Sequence, residues 1–331
     1  MVDFGVIGTN GLNEAFGQSA VVYGLAAVGL NVHFGYTGLL NFGQVAFVAV
    51  GAYSLAITVA TVGLPLIVGV PIGLLAAAVL ALLLGIPTLR LRADYLAIVT
   101  IAASEIIRLT VRSVSLRDQT GGSGGLTSFG GDFYDANPFS PGRYGLGPLD
   151  YDERQMWVLT VGWVLLGITS AFVFLLMRSP WGRVLRSIRE DEDAVRALGK
   201  NVVSYKMQSL VVGGVIGALA GFVNAVGTQS VQPDFFSTAF TYFAYTALIL
   251  GGAARVLGPV VGSMVFWLLL SLSDNLLRQV VSGSTTLSDH ISPTQIGQVR
   301  FMLVGLGLMM LMIFRPQGLF GNKRELALDA R

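Results

Sequence analysis

The sequence predicts an all-α polytopic membrane protein, on three observations. Of its 331 residues, 53% are hydrophobic and 12% are charged, about half the charged fraction of roughly 25% usual for a soluble domain; the mean hydropathy is +0.69. Apolar runs of about twenty residues, long enough to cross a hydrocarbon layer roughly 30 Å thick, recur along the chain. The one long, densely charged segment, 178–206, lies between two such runs. The whole chain, 1–331, reads as a single transmembrane domain of eight to ten crossings, with nine the best count.

In order, the crossings fall near 18–35, 40–61, 64–87, 94–115, 156–177, 207–229, 239–252, 256–277 and 299–314. The first is rich in glycine and polar residues and the seventh is short. A re-entrant 239–252 gives eight crossings, and a further N-terminal helix gives ten. Met1 to Glu14 carries Asp3 and Glu14 without Lys or Arg, so it lacks the basic start of a secretory signal and suits the outside. Segment 178–206 holds Arg178, Arg183, Arg186, Arg189, Arg196, Lys200 and Lys206, and cationic loops stay in the cytoplasm. Alternation then puts Arg90, Arg92, Arg255, Arg315, Lys323 and Arg324 inside, and 116–155 and 278–298 outside. The outer loop mixes Arg117, Arg143 and Arg154 with Asp118, Asp132, Asp135, Asp150, Asp152 and Glu153. Nine crossings give an outside N-terminus.

Segment 178–206 has internal order. Ser179-Pro180 reads as an N-cap followed by proline at the first helical position, and Val184, Leu185 and Ile188 between arginines predict a helix along the membrane surface. After Glu190, Asp191, Glu192 and Asp193, the run Ala194 to Gly199 predicts a short apolar-faced helix with Gly199 as its left-handed stop. Such a helix either meets a cytoplasmic partner or anchors the loop on the membrane.

Several function classes are excluded. A net charge of +2 offers no broad basic face for nucleic acid. Cysteine is absent, and His33 and His290 are isolated, so neither a thiolate site nor a clustered metal site is written in the sequence. No nucleophile, base or metal set for an enzyme is apparent. The glycine run Thr120 to Leu126 lacks the Lys-Ser/Thr ending of a nucleotide loop and lies on the outer face; it is a turn or close-packed backbone, or a surface for an external partner. No GxxxxGK[ST] occurs in the chain, so any ATP used is hydrolysed by another subunit.

Polar residues inside apolar runs mark pathway or gating candidates. Glu105 and Arg108 lie three apart on one helix face in the middle to outer half of a span, where ionisable groups are expensive; they either pin neighbouring helices or line a route. Asn31, Asn41 and Gln44 flank Gly35, Gly38 and Gly43, a pattern of two half-helices broken at membrane depth or of a simple cytoplasmic turn. Asn224 and Gln229 are further pathway candidates. Gly213, Gly217 and Gly221 form a stripe for close helix approach, within the subunit or between subunits. Arg315-Pro316 ends the last span as an anchor.

Seven segments carry a resemblance: Gly35 to Gln44, Leu89 to Tyr95, Glu105 to Arg108, Thr120 to Gly122, Ser179 to Arg183, Gly251-Gly252 with Gly258-Pro259, and Arg315 to Gly318. In this order the chain resembles, from about Leu25 to Gly321, the M-type permease subunits of branched-chain amino acid ABC importers. The resemblance implies an ABC importer permease fold, a prokaryotic inner-membrane location and a homologous permease as heterodimer partner. It also implies two cytoplasmic ATPases that hydrolyse ATP and an extracytoplasmic binding protein. Asp193, Ala194, Val195, Arg196, Ala197, Leu198 and Gly199 are then similar to the ATPase-coupling segment of importer permeases, with Asp193 in place of Glu and Val195 in place of Ala. Branched-chain amino acids are the implied cargo; related permeases carry urea, short amides or other small solutes. The residues alone also leave open a self-sufficient secondary transporter or channel.

Overall fold

The computed structural model describes residues 3–89, 93–145, 147, 149–282, 293–315 and 317–321. Arg90, Arg92, His290, Pro316, Lys323 and Arg324 lie outside the described residues. The long helices are α1 (Phe4–Ala15), α2 (Gln18–Leu30) with a π-helical extension Asn31–Tyr36, α3 (Gln44–Ala60), α4 (Leu66–Thr88) and α5 (Ala93–Arg112). After the one-turn helices α6 (Arg117–Thr120) and α7 (Gly131–Asp135) come α8 (Glu153–Arg178), α9 (Pro180–Glu190), α10 (Glu192–Ala197) and α11 (Val202–Thr228). The chain continues with α12 (Thr238–Gly251), α13 (Gly258–Ser282) and α14 (Pro293–Phe314).

Helices α4, α8, α11, α13 and α14 are each long and apolar enough to cross a membrane, and α1 with α2 and its extension, bent by 42°, forms a sixth such span. α3 and α12 are apolar but shorter. α5, at 20 residues, is interrupted by Asp94, Glu105, Arg108 and Arg112. Each of the nine expected crossings thus coincides with a helix. α1 is an addition, since 4–15 has no long apolar run; Asp3 caps it, accepting from the amides of Gly5 and Val6.

The helix ends sort into two poles. At one, Leu39, Leu89 and Leu96 cluster with Met207, Asn31 donates to the Arg255 carbonyl, and the Leu319 amide donates to the Leu250 carbonyl. At the other, the Asp3 amide donates to Gln279, Thr61 to the Gln119 carbonyl, and Tyr151 to the Asn13 carbonyl. The helix ends alternate between the poles in the expected order, and the arginine-rich pole is the one that the charges assign to the cytoplasm. The 116–155 segment is a folded cap at the outer pole. Strand β1 (Leu126–Thr127) pairs antiparallel with β4 (Ser230–Val231), and β2 (Arg143–Tyr144) with β3 (Tyr151–Asp152). Its glycine run is close-packed backbone: a Cβ on Gly125 would strike the Val231 carbonyl.

α11 lies at the centre, 72% of its apolar window buried, whereas α4 and α14 are peripheral at 22% and 12%. Its glycine stripe turns inward, onto α2 and α3 of the same chain: a side chain at Gly213 would overlap His33 and the Gly29 carbonyl, and one at Gly221 would overlap the Val48 carbonyl. Small residues allow this because helices in lipid gain by close packing and have no hydrophobic drive toward one another.

Two outcomes follow. Because the chain has no cysteine, single cysteines report topology directly: Ser140→Cys, exposed at the outer cap, reacts with a membrane-impermeant maleimide on intact cells, and Ser187→Cys, exposed on α9, reacts only after the cells are opened. Gly221→Leu overpacks the α3–α11 contact and destabilises the fold by about 3 kcal/mol or more, read as thermal unfolding in detergent, while Gly305→Leu, with open space around it, is tolerated.

Candidate functional site

The charged segment at the cytoplasmic pole folds as a corner and two helices. Ser179 ends α8 and Pro180 occupies the first position of α9. A side chain on Gly182 would clash with the Met177 backbone, which lets α9 fold tightly back against the end of α8. Leu185 and Ile188 are buried in the chain's own core, so the apolar stripe of α9 is turned onto protein and not onto the membrane surface as its pattern suggested. Arg189 donates to the Gly35 carbonyl at 2.6 Å and lies along Gly38, whose φ of +73° only glycine adopts readily.

α10 starts at Glu192, two residues before the expected start, because Asp191 caps it by accepting from the Ala194 amide at 2.9 Å. Gly199 follows it at φ +76°, the left-handed stop that its position predicted. Asp193, Ala194, Ala197, Leu198 and Gly199 are exposed, Leu198 at 80%. Val195 is buried at 5% in the main core, so its extra bulk relative to alanine is taken up within this chain and leaves the outer face of α10 unchanged. Arg196 pairs with Glu192 at 2.8 Å and with Asp193 at 2.6 Å. Glu192 also pairs with Lys206 of α11. The segment is therefore tied on one side to the α2–α3 break through Arg189 and on the other to the central helix.

The α2–α3 break is the second feature. The extension Asn31–Tyr36 widens the last turns of α2 into a π-helix, a form found at functional positions. The chain turns over residues 37–43, and α3 begins level with Gly213, eleven residues into α11, about 16 Å along it. Gly43 packs on Thr100, seven residues into α5. This is a break at depth, with α9 packed beside it and most of the turn buried, Gly38 being its exposed residue.

Its polar groups pair within protein. His33, Asn41 and Gln44 are 0% exposed. His33 Nε2 donates to the Leu210 carbonyl at 3.2 Å, and the same ring's Nδ1 accepts from Asn41 Nδ2 at 3.0 Å; this pattern requires the neutral Nε2–H tautomer. Asn41 Oδ1 accepts from the Gly43 amide at 2.9 Å, its backbone carbonyl accepts from Tyr245, and Gln44 Nε2 donates to the Gly213 carbonyl at 3.0 Å. The amides of Phe42 and Val45 donate to Thr100 and Thr241. Asn31 bridges to the α12–α13 turn, donating to the Arg255 carbonyl and accepting from the Ala254 amide, both at 2.8 Å. His33, Thr100, Thr241 and Tyr245 were not among the sequence candidates; the only signal for them was a polar atom within an apolar run.

The other candidates lie apart from this knot, toward the outer pole. Arg108 grips Glu105 through Nε at 3.0 Å to both carboxylate oxygens and reaches Asp234 at 3.2 Å, where Arg112 joins at 3.0 Å. The pair thus pins α5 to the segment before α12. Asp234, absent from the sequence candidates, comes from 126 residues away. Asn224 is buried, and its carbonyl accepts from Gln18 and Thr228. One turn above it opens an outer cleft of about 530 Å³, lined by Glu14, Gln18, Tyr134, Arg154, Thr228 and Gln229 among others. At its edge, burial pushes the Tyr151 hydroxyl up to about 12, with Glu14 adding to the shift. Of the pathway candidates, Gln229 lines the cleft and Asn224 is buried one turn below it, while Asn41 and Gln44 form one hydrogen-bonded unit.

The knot and the ion cluster differ in burial, and so in cost. Asn41→Ala leaves His33 Nδ1 and the Gly43 amide without partners in a dry site and costs about 2–3 kcal/mol. Asp234→Ala removes an acid that is 68% exposed and costs within about 1 kcal/mol. Chemical unfolding of the two variants beside the parent checks the order.

Comparison with known proteins agrees with this architecture. Residues 15–314 match the family model described as the branched-chain amino acid transport system permease component. The chain is 32% identical to the high-affinity branched-chain amino acid transport system permease protein LivM of Escherichia coli K12, over 92% of this chain and 69% of that protein. It is 31% identical to LivM of Salmonella typhimurium over the same shares, and 26% identical to the probable LivM of Methanocaldococcus jannaschii over 91% of each chain. The chain belongs to the branched-chain amino acid permease family and is an ABC importer permease subunit, a polytopic all-α membrane protein.

Proposed function

We propose that this permease imports branched-chain amino acids by alternating access, as one half of a heterodimer with a homologous permease in a prokaryotic inner membrane. Two cytoplasmic ATPases hydrolyse ATP for it, an extracytoplasmic binding protein delivers the cargo, and the chain itself performs no covalent chemistry. The observation that carries the reading is the exposed face of α10, Asp193, Ala194, Ala197, Leu198 and Gly199, presented at the cytoplasmic pole on a helix that Glu192 ties to Lys206 and that follows α9, itself held by Arg189 to Gly35. An exposed leucine on a capped helix of six residues has little stabilising role of its own and fits a groove on a partner. In this cycle the ATPase pair engages Asp193 to Gly199, with Arg196 held by Glu192 and Asp193 so that its charge does not oppose docking. Movement of the corner shifts α9 against the α2–α3 break and α11 together, since both tethers leave the same segment. Asn41 and Gln44 would act as the pivot, Glu105 and Arg108 as the outer latch on α5, and Asn224 as a group reached from the outer cleft.

The cargo assignment rests on family membership and on the names of the relatives. A neutral zwitterion with an apolar side chain is consistent with a chain whose deep ionisable groups are already paired with one another.

The test separates insertion from coupling. Leu198→Asp changes a side chain that makes little contact within the chain, so the protein inserts and unfolds as the parent does, yet ATP-driven leucine uptake in proteoliposomes of the full assembly falls about tenfold or more, the loss expected of one interface anchor. Gly199→Asp acts in the same direction and adds the strain of a side chain at positive φ. Unaltered uptake in both variants would remove the coupling role from this segment.

A further inference from the structure

Three arginines converge at the cytoplasmic pole away from α10. Arg178 at the end of α8, Arg186 on α9 and Arg255 in the α12–α13 turn line, with Tyr36 and Phe320, a pocket of about 470 Å³. Among the described residues no carboxylate lines it, and none of the three guanidiniums forms an ion pair with an Asp or Glu side chain. Arg178 lies over the Phe174 ring at 4.0 Å, and Arg186 donates to the carbonyls of Met177 and Gly182. Gly258 at the start of α13, a helix of 25 residues, opens on the same pocket and adds the positive end of its dipole.

The pocket continues along the molecule as an apolar groove. α8 and α13 both pack on α2 and leave between them a furrow of about 390 Å³, lined by Trp163, Gly167, Ala171, Phe174, Leu257 and Val260 among others. Phe174, Val256 and Leu257 belong to both spaces. A free phosphate or nucleotide would use the arginines and leave the furrow unexplained. A hydrophobic peptide would use the furrow and leave three charges unmatched. One ligand class matches both, with an anionic head at the membrane surface and an apolar chain running toward the bilayer centre.

We propose that an anionic glycerophospholipid of the cytoplasmic leaflet binds here, its phosphate among Arg178, Arg186 and Arg255 and one acyl chain in the α8–α13 furrow. The headgroup touches both sides of the Ser179 corner, so the bound lipid braces the angle between α8 and α9. The binding site stands independently of the transported solute.

The test uses the full-length chain in its native assembly, in nanodiscs of equal palmitoyl-oleoyl phosphatidylglycerol and phosphatidylcholine, with retained lipid counted by native mass spectrometry. Phosphatidylglycerol is expected to be retained over phosphatidylcholine about tenfold. Arg178→Gln with Arg255→Gln abolishes the preference; Arg186 is left in place because it caps backbone carbonyls. Gly167→Leu, at a position with open space around it, fills the furrow and lowers retention severalfold without changing charge. Equal retention of the two lipids by the parent protein overturns the proposal, as does a preference that survives the double variant. Displacement by glycerol phosphate together with full retention in Gly167→Leu would mark an anion pocket without a lipid chain. Retention that appears only after removal of residues 322–331, which carry Glu325 and Asp329 beside Lys323, Arg324 and Arg331, would overturn the proposal and give the pocket to a carboxylate of that segment.

Discussion

The fold depends on one constraint: a backbone broken inside an apolar layer must find a partner for every freed amide and carbonyl, because no water is there to take them. The α2–α3 break meets it with a side-chain knot. His33 uses one ring nitrogen to hold a carbonyl of α11 and the other to receive Asn41, and Asn41 in turn fixes the Gly43 amide that precedes α3. A histidine serves here because a neutral imidazole offers one donor and one acceptor on opposite sides of a rigid ring. Glutamine could bridge similar groups, but its amide end presents donor and acceptor on the same side. The glycines of α11 are the necessary counterpart, since a side chain at Gly213 would occupy the space that His33 and Gly29 fill. The polar knot and the small-residue stripe are therefore one structural decision, written in two distant parts of the sequence.

α5 shows the same logic at lower cost. It is the crossing most interrupted by charge, and it is fastened at both levels by polar contacts: Thr100 beneath the break, and Arg108 with Arg112 at Asp234. Two arginines and two acids cancel, so the cluster adds no net charge at that depth. Because Asp234 is largely exposed, the latch is weak compared with the buried knot. α5 is thus held by a buried contact near its middle and by a more exposed one at its outer end.

Most of the architecture was legible in the sequence, and the reasons are specific. Long apolar runs and the bias of arginines to one side give crossings and orientation, because lipid imposes both. Gly199 and Pro180 announced the ends of α10 and α9 through backbone geometry alone. Three things were not legible. α1 lacks a continuous apolar run, and its burial comes chiefly from packing on α13, where Gly11 meets Leu268 and Leu272. The apolar stripe of α9 looks alike whether it faces lipid or protein, and only tertiary contact with Gly35 and Gly38 decides. The partners of the candidate residues, His33 for Asn41 and Asp234 for Arg108, stand 8 and 126 residues away, and a single sequence carries no record of such pairings. Asn41 and Gln44 were found because polar residues are rare at depth, but that rarity does not distinguish a transport route from a structural joint.

The distinction bears on how force would travel. A solvated route needs polar groups with spare hydrogen-bonding capacity, and the knot has little, with His33, Asn41 and Gln44 each engaged and sealed from solvent. A joint needs the opposite, polar groups already bonded to one another and to each element that it connects. The knot has that form. Arg189 attaches α9 to the Gly35 carbonyl, Asn31 attaches the α12–α13 turn, and Gln44 attaches α11. Rotation of the α8–α9 corner would therefore pull on the knot at Gly35 and be felt in α11 and α13 together.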